Sequence, residues 1–161
     1  MFALIKDVHI AKPGRYLSGE GVDLDLSEEK LIEAASTYDK NNHTAGTTLG
    51  HAVTGASPSW GWVDKLYMKG ENLYCDLNVS EKLKDWMELA LYNKRSPSFY
   101  LPNNKHNPTP GKLHLRHLAL LGAEPPVIKG LEDIASFSEE QRLAYDNLVA
   151  FGYGLVTFSE D

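Results

Sequence analysis

A single cysteine, Cys75, stands in a chain of 161 residues. One thiol rules out an internal disulfide framework and any metal site built on several thiolates. No run approaches the roughly 20 apolar residues that span a bilayer, so no transmembrane helix is expected. The start, MFALIKDVHI, carries Asp7 and no long apolar stretch, so it does not read as a signal peptide, and a cytoplasmic location follows by default. Basic residues are also short: Lys and Arg number 16 against 22 acids, for a net charge of −6. That balance argues against a nucleic-acid-binding surface. A phosphate-cradling glycine loop, a dinucleotide fingerprint, an HExxH helix and a G-x-S-x-G elbow are all missing. No cofactor or metal is expected from what remains.

What is present suits one domain with a sizeable core, since 42% of residues are hydrophobic. FALIKDVHI reads as a strand running into the turn Lys12-Pro13-Gly14. Ser27 is a helix N-cap with Glu28 and Glu29 in the first turn, and Leu31, Ile32, Ala35 and Tyr38 keep helical spacing. Residues 39–48 are polar and read as loop. Trp60 to Met68 and Leu73 to Val79 form a hairpin around Lys69-Gly70-Glu71-Asn72, the second strand alternating apolar and polar. Ser80 caps a second helix with the stripe Leu83, Trp86, Met87, Ala90 and Leu91. A Pro- and Asn-rich loop, 102–112, precedes the apolar strand LHLRHLALLG, and Ser138-Glu139-Glu140-Gln141 is a capping box for a third helix. Strands that are mostly antiparallel, with a few helices, predict a mainly β protein: a closed antiparallel β-barrel surrounded by helices. Residues 1–137 form the main domain, and 138–161 a C-terminal helix and tail.

Residues 93–101, NKRSPSFYL, pose the chemical question. Pro97 has no N–H to give a central strand, so the segment belongs at an edge, a bulge or an end. Ser96 and Ser98 are surface hydroxyls unless a base lies near one of them. Lys94-Arg95 reads as a solvated approach to the strand, and Trp60 and Trp62 as packing. Six histidines are available. His114 and His117, three apart on a strand, should face opposite sides and not chelate together. His51, between a loop glycine and a strand, is either a polar junction residue or a base. His117 shares a face with Leu113, Leu115, Ala119 and Leu121 under strict alternation. Buried there, it needs a partner, either a backbone carbonyl or another catalytic group.

Read in order, LGH, GWVDKL, KRSPSFY and LRHLALLGAEPPVIKGL resemble the capsid-maturation (prohead) proteases of tailed bacteriophages, the Mu-like I-protein group. The resemblance covers about residues 1–137. That group is similar in fold and chemistry to the herpesvirus assemblins, serine proteases with a Ser-His-His triad on a seven-stranded barrel. Ser96-Pro97-Ser98 matches the assemblin S-x-S segment, and Arg116-His117-Leu118-Ala119-Leu120 its later histidine strand. His51 falls where the first histidine does, ahead of Gly61-Trp62-Val63.

The resemblance therefore implies an endopeptidase with Ser96 as nucleophile, His51 as general base and His117 as orienting third member. Ser98 stands as the alternative nucleophile and Glu124 as the alternative third member. Assemblins take an oxyanion N–H from an arginine pair, but this chain has Gly122-Ala123-Glu124-Pro125-Pro126, which leaves the N–H groups of Gly122 or Ala123. Implied substrates are scaffold, the capsid subunit and the chain itself, with Ala135-Ser136 as a self-cleavage site. The implied setting is the procapsid inside the host cytoplasm, with homodimerisation as one route to activation. A catalytically inactive, scaffold-linked assembly module of the same fold is the alternative function.

Overall fold

The computed structural model describes residues 2–17, 23–50, 56–89, 91–123, 126, 128–132 and 134. His51, Glu124, Ala135-Ser136 and the expected third helix lie outside them.

Among the described residues, eight strands and two helices run in the order β1 (Phe2–Ala11), β2 (Gly14–Leu17), β3 (Asp23–Leu26), α1 (Glu28–Thr37), β4 (Gly46–Leu49), β5 (Gly61–Lys69), β6 (Asn72–Ser80), α2 (Glu81–Glu88), β7 (Lys94–Tyr100) and β8 (His114–Leu121). Both helices begin where their caps predict. Ser27 Oγ accepts from the Lys30 N–H at 3.2 Å and Ser80 Oγ from the Leu83 N–H at 3.2 Å, each satisfying an otherwise unpaired first-turn donor. The β5–β6 hairpin turns at Gly70, whose φ of +63° suits glycine.

The main sheet has six strands in the order β1-β6-β5-β4-β8-β7, and β2 and β3 pair separately. It is curled, not closed: β1 and β7 are its two edges and approach one another without a ladder between them. The expected closed barrel is thus an open half-barrel, and the described helices lie against it loosely instead of surrounding it. Nor is the sheet wholly antiparallel, because β4 runs parallel to β8. Three of the four residues of that short strand, Gly46 to Thr48, fall inside the stretch expected to be loop.

The core is built by Ile5, Val8 and Ile10 from β1, Leu73, Cys75 and Leu77 from β6, and Leu115, Leu118 and Leu120 from β8. Leu31 and Ala34 of α1 and Leu83 and Met87 of α2 close over it. The end of α1 also pins the start of β8: Thr37 Oγ1 donates to the Leu113 carbonyl at 2.9 Å, and the Leu113 N–H donates to Glu33 Oε1 at 2.6 Å. The loop 102–112 is held by buried Asn107, whose amide donates to the carbonyls of Leu101 (3.0 Å) and Lys112 (2.7 Å).

Candidate active site

Pro97 lies in β7, an edge strand, where a missing N–H costs no ladder bond on the open side. On its closed side β7 pairs with β8, bringing Ser96 opposite Ala119 and Ser98 opposite His117. β4 extends the same rows from the other side of β8, with Gly46 opposite His117 and Thr48 opposite Ala119. Two adjacent rows result, Gly46–His117–Ser98 and Thr48–Ala119–Ser96, and cross-strand partners share a face. Ser96 and His117 are both buried, at 7% and 6% exposed, so neither is a solvated surface group.

A bulge decides which way His117 points. The ladder passes from Ser98–His117 to Phe99–Leu115, so β8 carries one extra residue, the exposed Arg116. One extra residue shifts the alternation by one step. Leu113 and Leu115 before it, and Leu118 and Leu120 after it, all join the core cluster. His117 and Ala119 are turned to the other face, with Ser96 and Ser98. Strict alternation placed His117 with Leu113 and Leu115, and Arg116 overturns that. The same shift puts His114, opposite Tyr100, on the His117 side of the ladder, where opposite faces were expected. Among the described residues no group of three or more His, Cys, Asp or Glu could hold a metal ion.

The chain toward His51 leaves β4 in a defined direction. The Gly50 N–H donates to the Leu120 carbonyl at 3.0 Å, and Thr48 Oγ1 donates to the Gly50 carbonyl at 2.8 Å. Gly50 has φ +78°, a left-handed turn that favours glycine. Residues 51–55 are outside the described set, so the described chain ends one residue short of His51, beside β8. Gly122 and Ala123 follow β8 directly. A Cβ on Gly122 would sit 2.9 Å from the Leu91 carbonyl oxygen, so that approach requires glycine.

Other ring-bearing residues cluster one row further along. His114 is fully buried, with Nδ1 3.0 Å from Thr109 Oγ1, and its ring lies 5.2 Å from that of His43 and 6.4 Å from that of Tyr100. Burial, and then the neighbouring His43, push the His114 pKa below its ordinary value. Nearby, the Tyr38 hydroxyl donates to the Val63 carbonyl at 2.7 Å and is pushed up to about 12 by burial. Trp60 meets Trp86 at 5.3 Å and Trp62 meets Phe2 at 4.9 Å, both with tilted rings, which is the packing role expected of them.

Arg95 corrects the reading of Lys94-Arg95 as solvated. It is 3% exposed, with Nε donating to the His9 carbonyl at 3.0 Å. The available signal was its place in the alternation: 95, 97 and 99 share the core side of β7, opposite Leu120, Leu118 and Leu115.

This open, curled half-barrel with two helices packed against it is an assemblin-like fold. Solved structures of the Kaposi's sarcoma-associated herpesvirus protease share it. One, in complex with a dimer disruptor, has 12% identity over 92% of this chain and 90% of its own, with a TM-score of 0.52. Two more, each with an allosteric inhibitor, have 11% identity over 92% of this chain and 90% or 91% of theirs, with TM-scores of 0.50. No protein-family model and no curated protein matches the chain.

Proposed function

We propose that the chain is a serine endopeptidase of viral capsid maturation, and specifically the prohead protease of a tailed bacteriophage. Ser96 is the nucleophile, His51 the general base and His117 the group that orients it. The observation that carries this reading is the diagonal relation of Ser96 to His117 in an assemblin-like fold. Diagonal neighbours across antiparallel strands stand roughly 7–8 Å apart, against about 4.5–5.5 Å for direct partners. The wider gap leaves room for an imidazole between serine and histidine, as a base relay requires.

In this mechanism Ser96 Oγ attacks the scissile carbonyl carbon as its proton passes to His51. The C–N bond breaks, and the departing amine takes that proton. Water, deprotonated by His51, then releases the acyl group and restores Ser96. The N–H groups of Gly122 or Ala123 serve the oxyanion, and Glu124 is the alternative third member. A neutral third imidazole lends the imidazolium no negative charge, so turnover is slow. Substrates are scaffold, capsid-subunit segments and the chain's own Ala135-Ser136, cut inside the procapsid in the host cytoplasm, with a homodimer as one active form.

Ser98 as nucleophile is the second reading, favoured by its place directly opposite His117. Co-expression with the capsid and scaffold proteins tests both. Cleavage lost in Ser96→Ala but kept in Ser98→Ala supports the first, and the reverse moves the nucleophile to Ser98. No cleavage by the wild type would favour an inactive assembly module.

A further inference from the structure

The open seam between β1 and β7 is crossed by Arg95. Its Nε donates to the His9 carbonyl of β1 at 3.0 Å, its Nη2 donates to the Glu132 carbonyl, and its Nη1 lies 3.4 Å from the Asn93 carbonyl. Glu132 is tied back to the same place. Its N–H donates to His9 Nδ1 at 3.0 Å, and its Oε1 accepts from the Tyr74 hydroxyl. On either side Ile128 and Ile134 are buried, at 5% and 1% exposed. One buried guanidinium thus joins three pieces of chain: the serine strand, the opposite edge of the sheet, and the segment 128–134. Planar, multiply donating and always charged, it suits the binding of several carbonyls at once, which a lysine ammonium does less well.

Ser96 is the next residue, directed to the other face of β7. As an edge strand containing Pro97, β7 has a ladder on one side only, so its backbone alone holds Ser96 loosely. A nucleophile misplaced by about 1 Å loses on the order of a hundredfold in rate. We propose that Arg95 is a positioning residue for Ser96, and that residues 128–134 complete its hold. This rests on the reading of Ser96 as nucleophile.

The test is covalent labelling by a fluorophosphonate, in which Ser96 Oγ bonds to phosphorus, fluoride leaves and the proton goes to the base. The labelled residue is read by mass spectrometry, and amide hydrogen exchange is followed alongside. In Arg95→Met the rate of bond formation at Ser96 should fall about a hundredfold with little change in probe affinity. Amides of β7 should exchange at least about tenfold faster while those of β5 and β6 do not, since opening is local. Arg95→Lys should recover part of the rate, and it carries the comparison if Arg95→Met does not fold. A folded variant labelled at the wild-type rate, or protection lost evenly across the sheet, overturns the proposal. Wild-type protein that the probe never labels at Ser96 overturns the nucleophile assignment itself, a separate failure.

Discussion

Ser98 stands directly opposite His117 across the β7–β8 ladder, and Ser96 stands one row further along, opposite Ala119. The two hydroxyls share a face but differ in their distance from the histidine. Where the base must lie between nucleophile and orienting group, the diagonal serine is the better placed. Ser96→Ala should then remove nearly all proteolysis, by up to about a millionfold as for other triads. Ser98→Ala should retain most of it. Initial rates on a scaffold-derived peptide decide, and a Ser98→Ala loss as large as that of Ser96→Ala would sink the distinction.

His117→Ala should cost clearly less than His51→Ala, because an orienting group can be partly replaced by the surrounding structure while the proton acceptor cannot. Single-turnover rates of the two variants on the same peptide test this. An equal or larger loss at His117 would mean that its role is misassigned.

Arg116 is exposed, yet it sets the phase of β8. Arg116→Ala should leave stability within about 0.5 kcal/mol, as surface substitutions usually do. Deleting the residue should close the bulge and keep both phases, because Leu115 and His117 then alternate directly; the variant should fold with His117 still opposite Ser98 and Leu118 still in the core. Thermal denaturation of both variants checks this. A deletion variant that does not fold would mean that β8 needs the bulge for more than its phase.

These cases show where the sequence was legible. Caps at Ser27 and Ser80, the β5–β6 hairpin and the apolar β8 strand were readable because each is a local pattern. The short β4 was hidden among polar residues, since what makes it a strand is its distant partner β8. The phase of His117 was misread because alternation was carried straight through Arg116, though a lone charge in LHLRHLALL marks where such a run can break. An open barrel could not be told from a closed one, because the seam is crossed by the Arg95 side chain and not by a ladder. Ser96 and His117 were singled out through the order of their motifs, not through any local chemistry.

Gly61 sits where β5 crosses closest to β6. A Cβ there would lie 2.0 Å from the Asn78 carbonyl oxygen and 2.8 Å from Val79 Cα, both backbone atoms that cannot swing aside. Gly61→Ala should destabilise the protein by about 3 kcal/mol, the upper part of the range for overpacking. Urea unfolding followed by tryptophan fluorescence gives the value. A loss below about 1 kcal/mol would mean that the two strands can part at this point.

Stability should also fall as the solution is acidified from neutrality, before the carboxylates titrate. Burial lowers the pKa of both His9 and His114 from 6.5; at His9 the nearby Glu132 opposes this and Arg95 adds to it. A histidine with a lowered folded value stays neutral in the native state while the unfolded chain takes up its proton. The stability it contributes is therefore complete above 6.5 and is lost as pH falls through 6.5 toward the lower folded value. Asp7, whose pKa the Tyr67 hydroxyl and Lys69 depress, works in a separate window that opens only near its ordinary 3.8. Protonating His9 also removes the Nδ1 lone pair that accepts the Glu132 N–H, so the segment 128–134 should loosen first. Unfolding free energies at pH 8, 6.5 and 5 should decline, with a shallower decline in His9→Gln and His114→Gln. The same slope in both variants as in wild type would assign the acid sensitivity to other groups.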